Sequence, residues 1–188
     1  MYDFVVIGVS AGGMEALSRI IPELPGDFPL PVSIVQHVKK GTDDFLANYL
    51  NSLSSLRVKE AAWREKIKPG TVYIAPAGYH LLIEKDRTFG LSVDPAVNFA
   101  IPSIDVLFET AAGVYGPKLV GVVLTGANRD GSNGLKKIKE NGGMAIVQNP
   151  DDARNPEMPR SAIEAVKADR VVELCKISQI LKEITKEQ

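Results

Sequence analysis

The sequence predicts an α/β protein: a doubly wound, three-layer α/β/α domain with a mostly parallel sheet and an antiparallel hairpin at one edge. Short, continuous apolar runs alternate along the chain with segments whose apolar residues recur at helical spacing. That alternation is typical of strands that are buried on both faces and connected by crossover helices. In the middle of the chain, two strand-like segments instead flank a polar turn at 85–87, which predicts the hairpin.

The first third of the chain is predicted to contain two strands and two helices. Residues 4–8 are continuously apolar, as in a buried strand, and residues 14–21 follow with helical spacing until Pro22. A second buried strand covers 32–36. A helix is predicted over 43–56 because one of its sides would carry five large apolar residues, namely Phe45, Leu46, Tyr49, Leu50 and Leu53.

The same alternation resumes after the hairpin. Ser103 follows Pro102 and is the predicted cap of a helix over 103–114. The polar, proline-rich stretch at 149–159 is predicted to be a loop. The remaining elements are strands at 71–75, 79–84, 88–93, 118–124, 144–148 and 171–172, and helices at 135–140, 160–167 and 177–186.

The composition excludes several classes of protein. The 188 residues contain 22 Lys and Arg against 23 Asp and Glu and no basic cluster, so nucleic-acid binding is not expected. Cys175 is the only cysteine, which excludes a disulfide framework and a cysteine-based zinc site. No apolar run is long enough to insert into a membrane, and no signal peptide is recognisable. We expect a single cytoplasmic domain over 1–188, with no metal and no cofactor.

The loop after the first strand contains a candidate nucleophile. Residues 8–13 read Gly-Val-Ser-Ala-Gly-Gly and match the G-x-S-x-G pattern between a predicted strand and a predicted helix. Such a turn exposes the Ser10 hydroxyl beside a helix N-terminus, whose free N–H groups would stabilise an oxyanion. A plain glycine-rich turn and a phosphate cradle akin to a dinucleotide fingerprint explain the same motif equally well.

His37 is the candidate general base. It ends the second strand, at a position where a dinucleotide site would have an acidic residue to bind the ribose. Ligands of such sheets bind at the carboxyl ends of the strands, so His37 can reach the loop of Ser10. The structural alternative, a histidine bonded to a backbone carbonyl, is less favoured at this position.

Asp130 follows a third buried strand and is the candidate carboxylate. It would accept the Nδ1–H of His37 and turn Nε2 toward Ser10, completing a triad. Alternatively, Asp130 caps a helix; the presence of Ser10 and His37 at two other strand ends favours the triad. The remaining histidine, His80, is predicted to lie in a loop or at the rim of the substrate site, with a plain surface position slightly favoured.

Taken together, these motifs resemble the catalytic domain of the chemotaxis receptor methylesterases, the CheB family. The matching segments occur in family order and cover nearly the whole chain: 7–13, 36–37, 73–76, 102–108, 124–126, 130–131, 148–149 and 158–160. As a set they are far more specific than the serine loop alone.

The resemblance implies a serine hydrolase that converts glutamyl methyl esters of methyl-accepting chemotaxis receptors to glutamate and methanol, with deamidation of receptor glutamines as a further activity. The family's triad falls on Ser10, His37 and Asp130. The implied partners are the cytoplasmic helices of the receptors and a receiver or signalling domain, separate or fused, although no receiver domain is expected within this chain. The oxyanion and substrate loop would include Ala11, Gly12, Gly126, Ala127 and Met158.

Several residues depart from the family pattern T-G-M-G-x-D-G and its surroundings. Ala127 and Asn128 replace the methionine and the second glycine. Ile101 stands where arginine is common, and Ala11 where threonine is common. A non-catalytic, receptor-binding relative with an impaired oxyanion site is therefore the alternative function, and a nucleotide-binding α/β domain ranks below it. Because a long receptor helix presents its esters outward, the resemblance also implies a shallow cleft.

Overall fold

The structure is a computed structural model that describes residues 1–38 and 44–186. Its strands are β1 (Phe4–Val9), β2 (Val32–Gln36), β3 (Arg57–Glu60), β4 (Thr71–Ile74), β5 (His80–Ile83), β6 (Phe89–Ser92), β7 (Leu119–Val123), β8 (Met144–Gln148) and β9 (Arg170–Val172). Its α-helices are α1 (Gly13–Ile20), α2 (Phe45–Leu53), α3 (Ile104–Tyr115), α4 (Ser132–Glu140), α5 (Glu157–Ala165) and α6 (Leu174–Lys186).

Seven parallel strands form the central sheet in the order β3-β4-β2-β1-β7-β8-β9. The central strand β1 is hydrogen-bonded to β2 on one side and to β7 on the other. The first part of the chain therefore builds the sheet from β1 toward β3, and the later part adds β7, β8 and β9 on the other side of β1. The carboxyl ends of β2, β1 and β7 meet at this reversal, which is where ligands bind in open α/β sheets.

Side chains that alternate along the strands build one core on each face of the sheet. On β1, Val5, Ile7 and Val9 belong to one core, whereas Phe4 and Val6 belong to the other. Helices α1, α2 and α6 supply apolar residues to the first core, and α3, α4 and α5 supply them to the second. This arrangement confirms the predicted doubly wound, three-layer α/β/α class.

The predicted hairpin is present as a separate two-stranded antiparallel sheet formed by β5 and β6. It is not hydrogen-bonded to an edge of the large sheet, whose outer strands are β3 and β9. The hairpin packs on α3 instead, where the Ile83 backbone N–H donates to Thr110 Oγ1 at 3.2 Å. It thereby covers part of the second core.

The sequence patterns missed β3 and the first turns of three helices. Strand β3 reads Arg-Val-Lys-Glu, and only Val58 in it is buried, so it lacks an apolar run. Helices α4, α5 and α6 each begin three residues before the predicted start. The predicted helix over 43–56 is shorter at both ends, Phe45–Leu53, and residue 43 lies outside the described residues.

Within residues 1–38 and 44–186, no helix combines the length and the apolarity that crossing a bilayer requires.

Candidate active site

Ser10 lies in a sharp turn between β1 and α1. The turn depends on Gly12, whose φ of 84° lies in the left-handed region that glycine adopts without a steric penalty. The backbone N–H of Ser10 donates to Thr125 O at 3.0 Å, and the N–H of Gly13 donates to Ser10 O at 2.8 Å. These bonds fix the serine at the carboxyl end of the central strand.

His37 is placed beside Ser10 by the register of the sheet. Val9 of β1 lies opposite Gln36 of β2, so the residues that follow them, Ser10 and His37, are neighbours. The side-chain amide of Gln36 donates to Ser10 O and to His37 O, each at 3.0 Å. One glutamine therefore holds the backbones of both residues in position.

The structure brings the three predicted triad residues into one chain of hydrogen bonds. His37 Nδ1 lies 3.1 Å from Ser10 Oγ, and His37 Nε2 lies 2.8 Å from Asp130 Oδ2. An ionised carboxylate only accepts hydrogen bonds, so Nε2 carries the ring proton in the neutral imidazole. Nδ1 is then the acceptor for the Ser10 hydroxyl.

The roles of the two ring nitrogens are the reverse of those predicted, in which Nδ1 faced Asp130. The order of the strands explains the difference. His37 follows β2, the immediate neighbour of β1, so Nδ1, the ring nitrogen nearer the backbone, already reaches Ser10. Asp130 follows β7, on the far side of β1, and only the distal Nε2 extends that far.

Asp130 is fully buried and accepts five hydrogen bonds. Oδ2 accepts from His37 Nε2 at 2.8 Å and from the backbone N–H of Ile104 at 2.6 Å. Oδ1 accepts from the three remaining donors, Asn98 Nδ2 at 3.0 Å, Ser103 Oγ at 2.9 Å and the Asp105 backbone N–H at 3.2 Å. Two of these donors are the first amides of α3, so the positive end of this helix dipole faces the carboxylate.

Gly8 allows α3 to approach the sheet at this point. A Cβ atom at Gly8 would overlap the side chain of Ile104, the first residue of α3. Glycine at this position therefore lets the helix N-terminus reach Asp130.

The pKa of Asp130 is lowered by its surroundings. Burial alone would raise this pKa, but the hydrogen bonds from His37, Asn98 and the Ile104 N–H outweigh burial. The neighbouring Asp105 behaves in the opposite way. Burial raises the pKa of Asp105, and the negative charge of Asp130 adds to the rise, although hydrogen bonds from Gly134 and Asn98 oppose it. Of the two carboxyl groups, Asp130 is thus the more acidic.

Asp130 also caps a helix, which was the alternative to its contact with His37, so the two roles occur together. The helix that Asp130 caps is α3, whereas α4, the helix after it, has Gly131 as its N-cap residue and no side-chain cap. Ser103 is the N-cap residue of α3, as predicted, but its hydroxyl donates to Asp130 rather than accepting from its own helix.

His80 was expected in a loop, at the substrate rim or on the surface, and this expectation is wrong. It is the first residue of β5 and only 1% exposed. Its Nδ1 accepts the Ser103 backbone N–H at 3.1 Å, and its Nε2 lies 3.2 Å from Pro95 O. His80 therefore helps to hold the N-terminus of α3 in place, because it accepts the backbone N–H of the N-cap residue.

The five residues predicted for the oxyanion and substrate loop separate into two groups. Ala11 and Gly12 are partly exposed and Ala127 is exposed, and Ala11 O accepts from Thr125 Oγ1 at 2.9 Å. The Gly126 N–H already donates to Asn155 O at 3.0 Å. Met158 is fully buried against Gly126, so its side chain supports the loop and does not reach a substrate.

Two asparagine side chains form hydrogen bonds at the site that the sequence did not predict. Asn98 Nδ2 donates to Asp130 Oδ1 and, at 2.8 Å, to Asp105 Oδ2. Asn128 was noted only as the replacement of a glycine in the family pattern, yet its Nδ2 lies 3.3 Å from His37 Nδ1. Both residues lie in loops, where no periodicity marks a side chain as buried or functional.

Ser10 and His37 line a depression of about 540 Å³ that is open to solvent. The rim on one side is apolar and includes Phe99 and Ile101. Phe99 is fully exposed and, like Asn98, has a left-handed backbone, with φ values of 63° and 50°. A second depression of about 330 Å³ begins on the other side of Ser10, between α1 and α2.

Comparison with known proteins gives a consistent result. The model of the family described as CheB methylesterase matches residues 5–181. A Leptospira interrogans protein, provisionally named a protein-glutamate methylesterase/protein-glutamine glutaminase, is 55% identical over 95% of this chain and 93% of its own length. The protein-glutamate methylesterase FrzG of Myxococcus xanthus is 39% identical over 96% of this chain. The match spans 54% of FrzG.

A solved structure agrees with the fold over almost its full extent. The catalytic domain of the Thermotoga maritima CheB methylesterase superimposes with a TM-score of 0.94 and is 40% identical. The match covers 98% of this chain and 99% of that domain.

Proposed function

Because the chain belongs to the CheB methylesterase family, we propose that it is a protein-glutamate methylesterase in which Ser10, His37 and Asp130 act as the catalytic triad. The enzyme hydrolyses glutamyl methyl esters of methyl-accepting chemotaxis receptors. The products are glutamate and methanol.

The observation that carries this proposal is the continuous chain of hydrogen bonds from the serine hydroxyl to a buried carboxylate. Its two links measure 3.1 Å between Ser10 Oγ and His37 Nδ1 and 2.8 Å between His37 Nε2 and Asp130 Oδ2. Both fall within the reach expected for a nucleophile, its base and the group that orients the base. The lowered pKa of Asp130 keeps the carboxylate charged when the imidazole gains a proton.

The reaction proceeds by acyl transfer. Ser10 Oγ attacks the ester carbonyl carbon while its proton passes to His37 Nδ1. The tetrahedral intermediate collapses, the bond to methoxide breaks, and Nδ1 returns the proton to form methanol. Water, deprotonated by the same nitrogen, then hydrolyses the acyl-enzyme and regenerates Ser10. Asp130 stabilises the imidazolium during both halves of the reaction.

The same site accounts for the second activity in the names of the relatives, protein-glutamine glutaminase. Attack of Ser10 on a glutamine side-chain amide gives the same glutamyl acyl-enzyme, and ammonia leaves in place of methanol. His37 supplies the proton that this leaving group needs. We therefore assign deamidation to the same three residues.

The open depression around Ser10 suits a side chain presented from the surface of a long receptor helix. The helix backbone would pass over the apolar rim formed by Phe99 and Ile101 while the ester reaches Ser10. A fully exposed phenylalanine offers apolar contact to such a helix. The assignment puts the protein in the cytoplasm, where these receptor helices lie.

The experiment compares methanol release from a methylated receptor by the wild-type protein and by Ser10→Ala. We expect the variant to lose activity by several orders of magnitude, because removal of a triad member leaves only the contribution of binding and of the oxyanion site. Ser18→Ala is the matched control, since Ser18 lies on α1 and its hydroxyl donates to Glu15 O. Retention of activity within about tenfold by Ser10→Ala would reject Ser10 as the nucleophile.

A further inference from the structure

The side chain of Asn128 lies within the candidate active site. Its side-chain Nδ2 lies 3.3 Å from His37 Nδ1, the nitrogen that also contacts Ser10 Oγ at 3.1 Å. Asn128 and Ser10 line the same depression. The amide of Asn128 therefore contacts the nitrogen that would accept the Ser10 proton, in the depression that Ser10 also lines.

The orientation of this amide is fixed by a second hydrogen bond. The backbone N–H of Asp130 donates to Asn128 Oδ1 at 3.1 Å, so Oδ1 is the acceptor end and Nδ2 is the end that faces His37. Because Asp130 holds the ring proton on Nε2, Nδ1 accepts from Asn128. Asp130 thus orients two groups: its backbone N–H holds the Asn128 amide with Nδ2 toward His37, and its carboxylate orients the imidazole.

Two donors compete for a single acceptor in the resting site. An imidazole nitrogen has one lone pair in the ring plane, and both the Ser10 hydroxyl and the Asn128 amide point to it. When the Ser10 proton moves to Nδ1, that lone pair is used. The Asn128 N–H then loses its partner at the moment when a new negative charge appears nearby.

That charge is on the carbonyl oxygen of the substrate. As the bond from Ser10 Oγ to the carbonyl carbon forms, the electron pair of the C=O double bond moves onto oxygen, and the hydroxyl proton passes to His37. Some of the backbone donors close to Ser10 are already engaged. The Ser10 N–H donates to Thr125 O and the Gly126 N–H donates to Asn155 O, each at 3.0 Å.

From these contacts we infer that the Asn128 side-chain amide is an oxyanion donor of this enzyme, bonded to His37 Nδ1 in the resting state and to the substrate oxyanion in the transition state. An interaction that strengthens only in the transition state raises the rate of the chemical step rather than the affinity for substrate. The inference rests on the proposed esterase function.

The test measures hydrolysis of a small activated ester, p-nitrophenyl acetate, by the wild-type protein and by Asn128→Ala and Asn128→Asp. Asp keeps an oxygen for the Asp130 N–H but has no N–H to donate. If Asn128 is an oxyanion donor, kcat falls about 10²–10³-fold in both variants while KM changes little. If the residue only supports the backbone of Asp130, Asn128→Asp retains the wild-type kcat, which overturns the inference.

A second measurement separates transition-state stabilisation from a general loss of structure. A trifluoromethyl ketone adds to Ser10 and forms a tetrahedral adduct with a charged oxygen, so its affinity should fall by the same factor as kcat/KM. Affinity unchanged in Asn128→Ala, with kcat reduced, would contradict an oxyanion contact. Arg129→Ala, an exposed neighbour in the same loop, is the control and should keep kcat within about threefold.

The two proposals fail in different ways. If the wild-type protein shows no hydrolysis that depends on Ser10, the proposed function is wrong. If that hydrolysis is present and Asn128→Ala retains kcat within about threefold, the esterase assignment stands and the role of Asn128 is rejected.

Discussion

Asp130 and Ile104 are joined by a hydrogen bond of 2.6 Å from the backbone N–H of Ile104 to Oδ2, the same oxygen that accepts His37 Nε2–H. The carboxylate of the candidate triad is therefore also the acceptor that caps α3. Because the first amide of a helix carries part of its positive dipole, the helix holds the carboxylate ionised, and the carboxylate holds the helix in place. The proposed catalytic role of Asp130 and the stability of the fold are therefore coupled at this atom.

Asp130→Asn should accordingly affect both properties. If the side-chain NH2 group of this variant took the place of Oδ2, it would face two other donors, His37 Nε2–H and the Ile104 N–H. Both donors would then lose their acceptor. We expect ester hydrolysis to slow by about 10³–10⁴-fold and unfolding free energy to fall by about 2 kcal/mol. Kinetics and chemical denaturation measure the two effects. Ser103→Ala removes one donor to Oδ1 and is the control, with a loss of about 1 kcal/mol. Full activity in Asp130→Asn would show that Asp130 is only a cap.

The lowered pKa of Asp130 predicts how its contribution to stability depends on pH. The folded-state pKa lies below the ordinary value of 3.8, so the folded protein binds fewer protons than the unfolded chain. The stability contributed by ionised Asp130 is complete above that ordinary value and is lost as pH falls through the lowered pKa. The unfolding free energies of wild type and Asp130→Asn should differ by a constant amount between about pH 5 and 7 and converge below about pH 4. A difference that grows toward low pH would contradict the predicted sign.

Gly8→Ala tests the close approach of α3 to the sheet. The added methyl group would overlap the Ile104 side chain, and relief of this overlap moves the amide that binds Asp130. We expect a loss of about 1–3 kcal/mol in unfolding free energy together with reduced activity. Gly113→Ala is the matched control within α3, because a Cβ atom there meets no heavy atom within 4 Å. This control should gain up to about 1 kcal/mol from higher helix propensity. Equal effects of the two substitutions would show that the contact with Ile104 does not matter.

Phe99→Ala tests the apolar rim of the depression. If a receptor helix contacts this side chain, kcat/KM for methylated receptor should fall about tenfold, which corresponds to about 1.4 kcal/mol. Hydrolysis of p-nitrophenyl acetate, which is too small to span the rim, should be unaffected. Trp63→Ala removes another exposed aromatic side chain, 63% exposed and outside this depression, and should change neither rate. A similar loss for both substrates in Phe99→Ala would indicate disturbance of the site rather than loss of a substrate contact.

The fold class and the three central residues were predictable because both depend on local features of the sequence. Buried strands appear as apolar runs, and Ser10, His37 and Asp130 each follow such a run closely. Parallel strands bring their carboxyl ends to one edge, so the three side chains were expected to meet there. The family resemblance then reinforced the same choice.

The features that were not predicted depend on contacts between distant parts of the chain. The ring nitrogen that faces Ser10 follows from the side of β1 on which each strand lies, and sequence spacing does not record this. The helix that Asp130 caps begins 26 residues earlier in the chain. His80 was misplaced because a lone histidine has no pattern that distinguishes a buried position, with both ring nitrogens near polar atoms, from an exposed one.

The most direct test of the triad is to identify the residue that carries the acyl group during turnover. Wild-type protein is mixed with p-nitrophenyl acetate, quenched in acid within the first turnover and digested, and the acetylated peptide is identified by mass spectrometry. The account predicts acetylation at Ser10, greatly slowed in His37→Ala because the base at Nδ1 is gone. Hydrolysis that leaves Ser10 unmodified, with the acetyl group found on another residue, would contradict it.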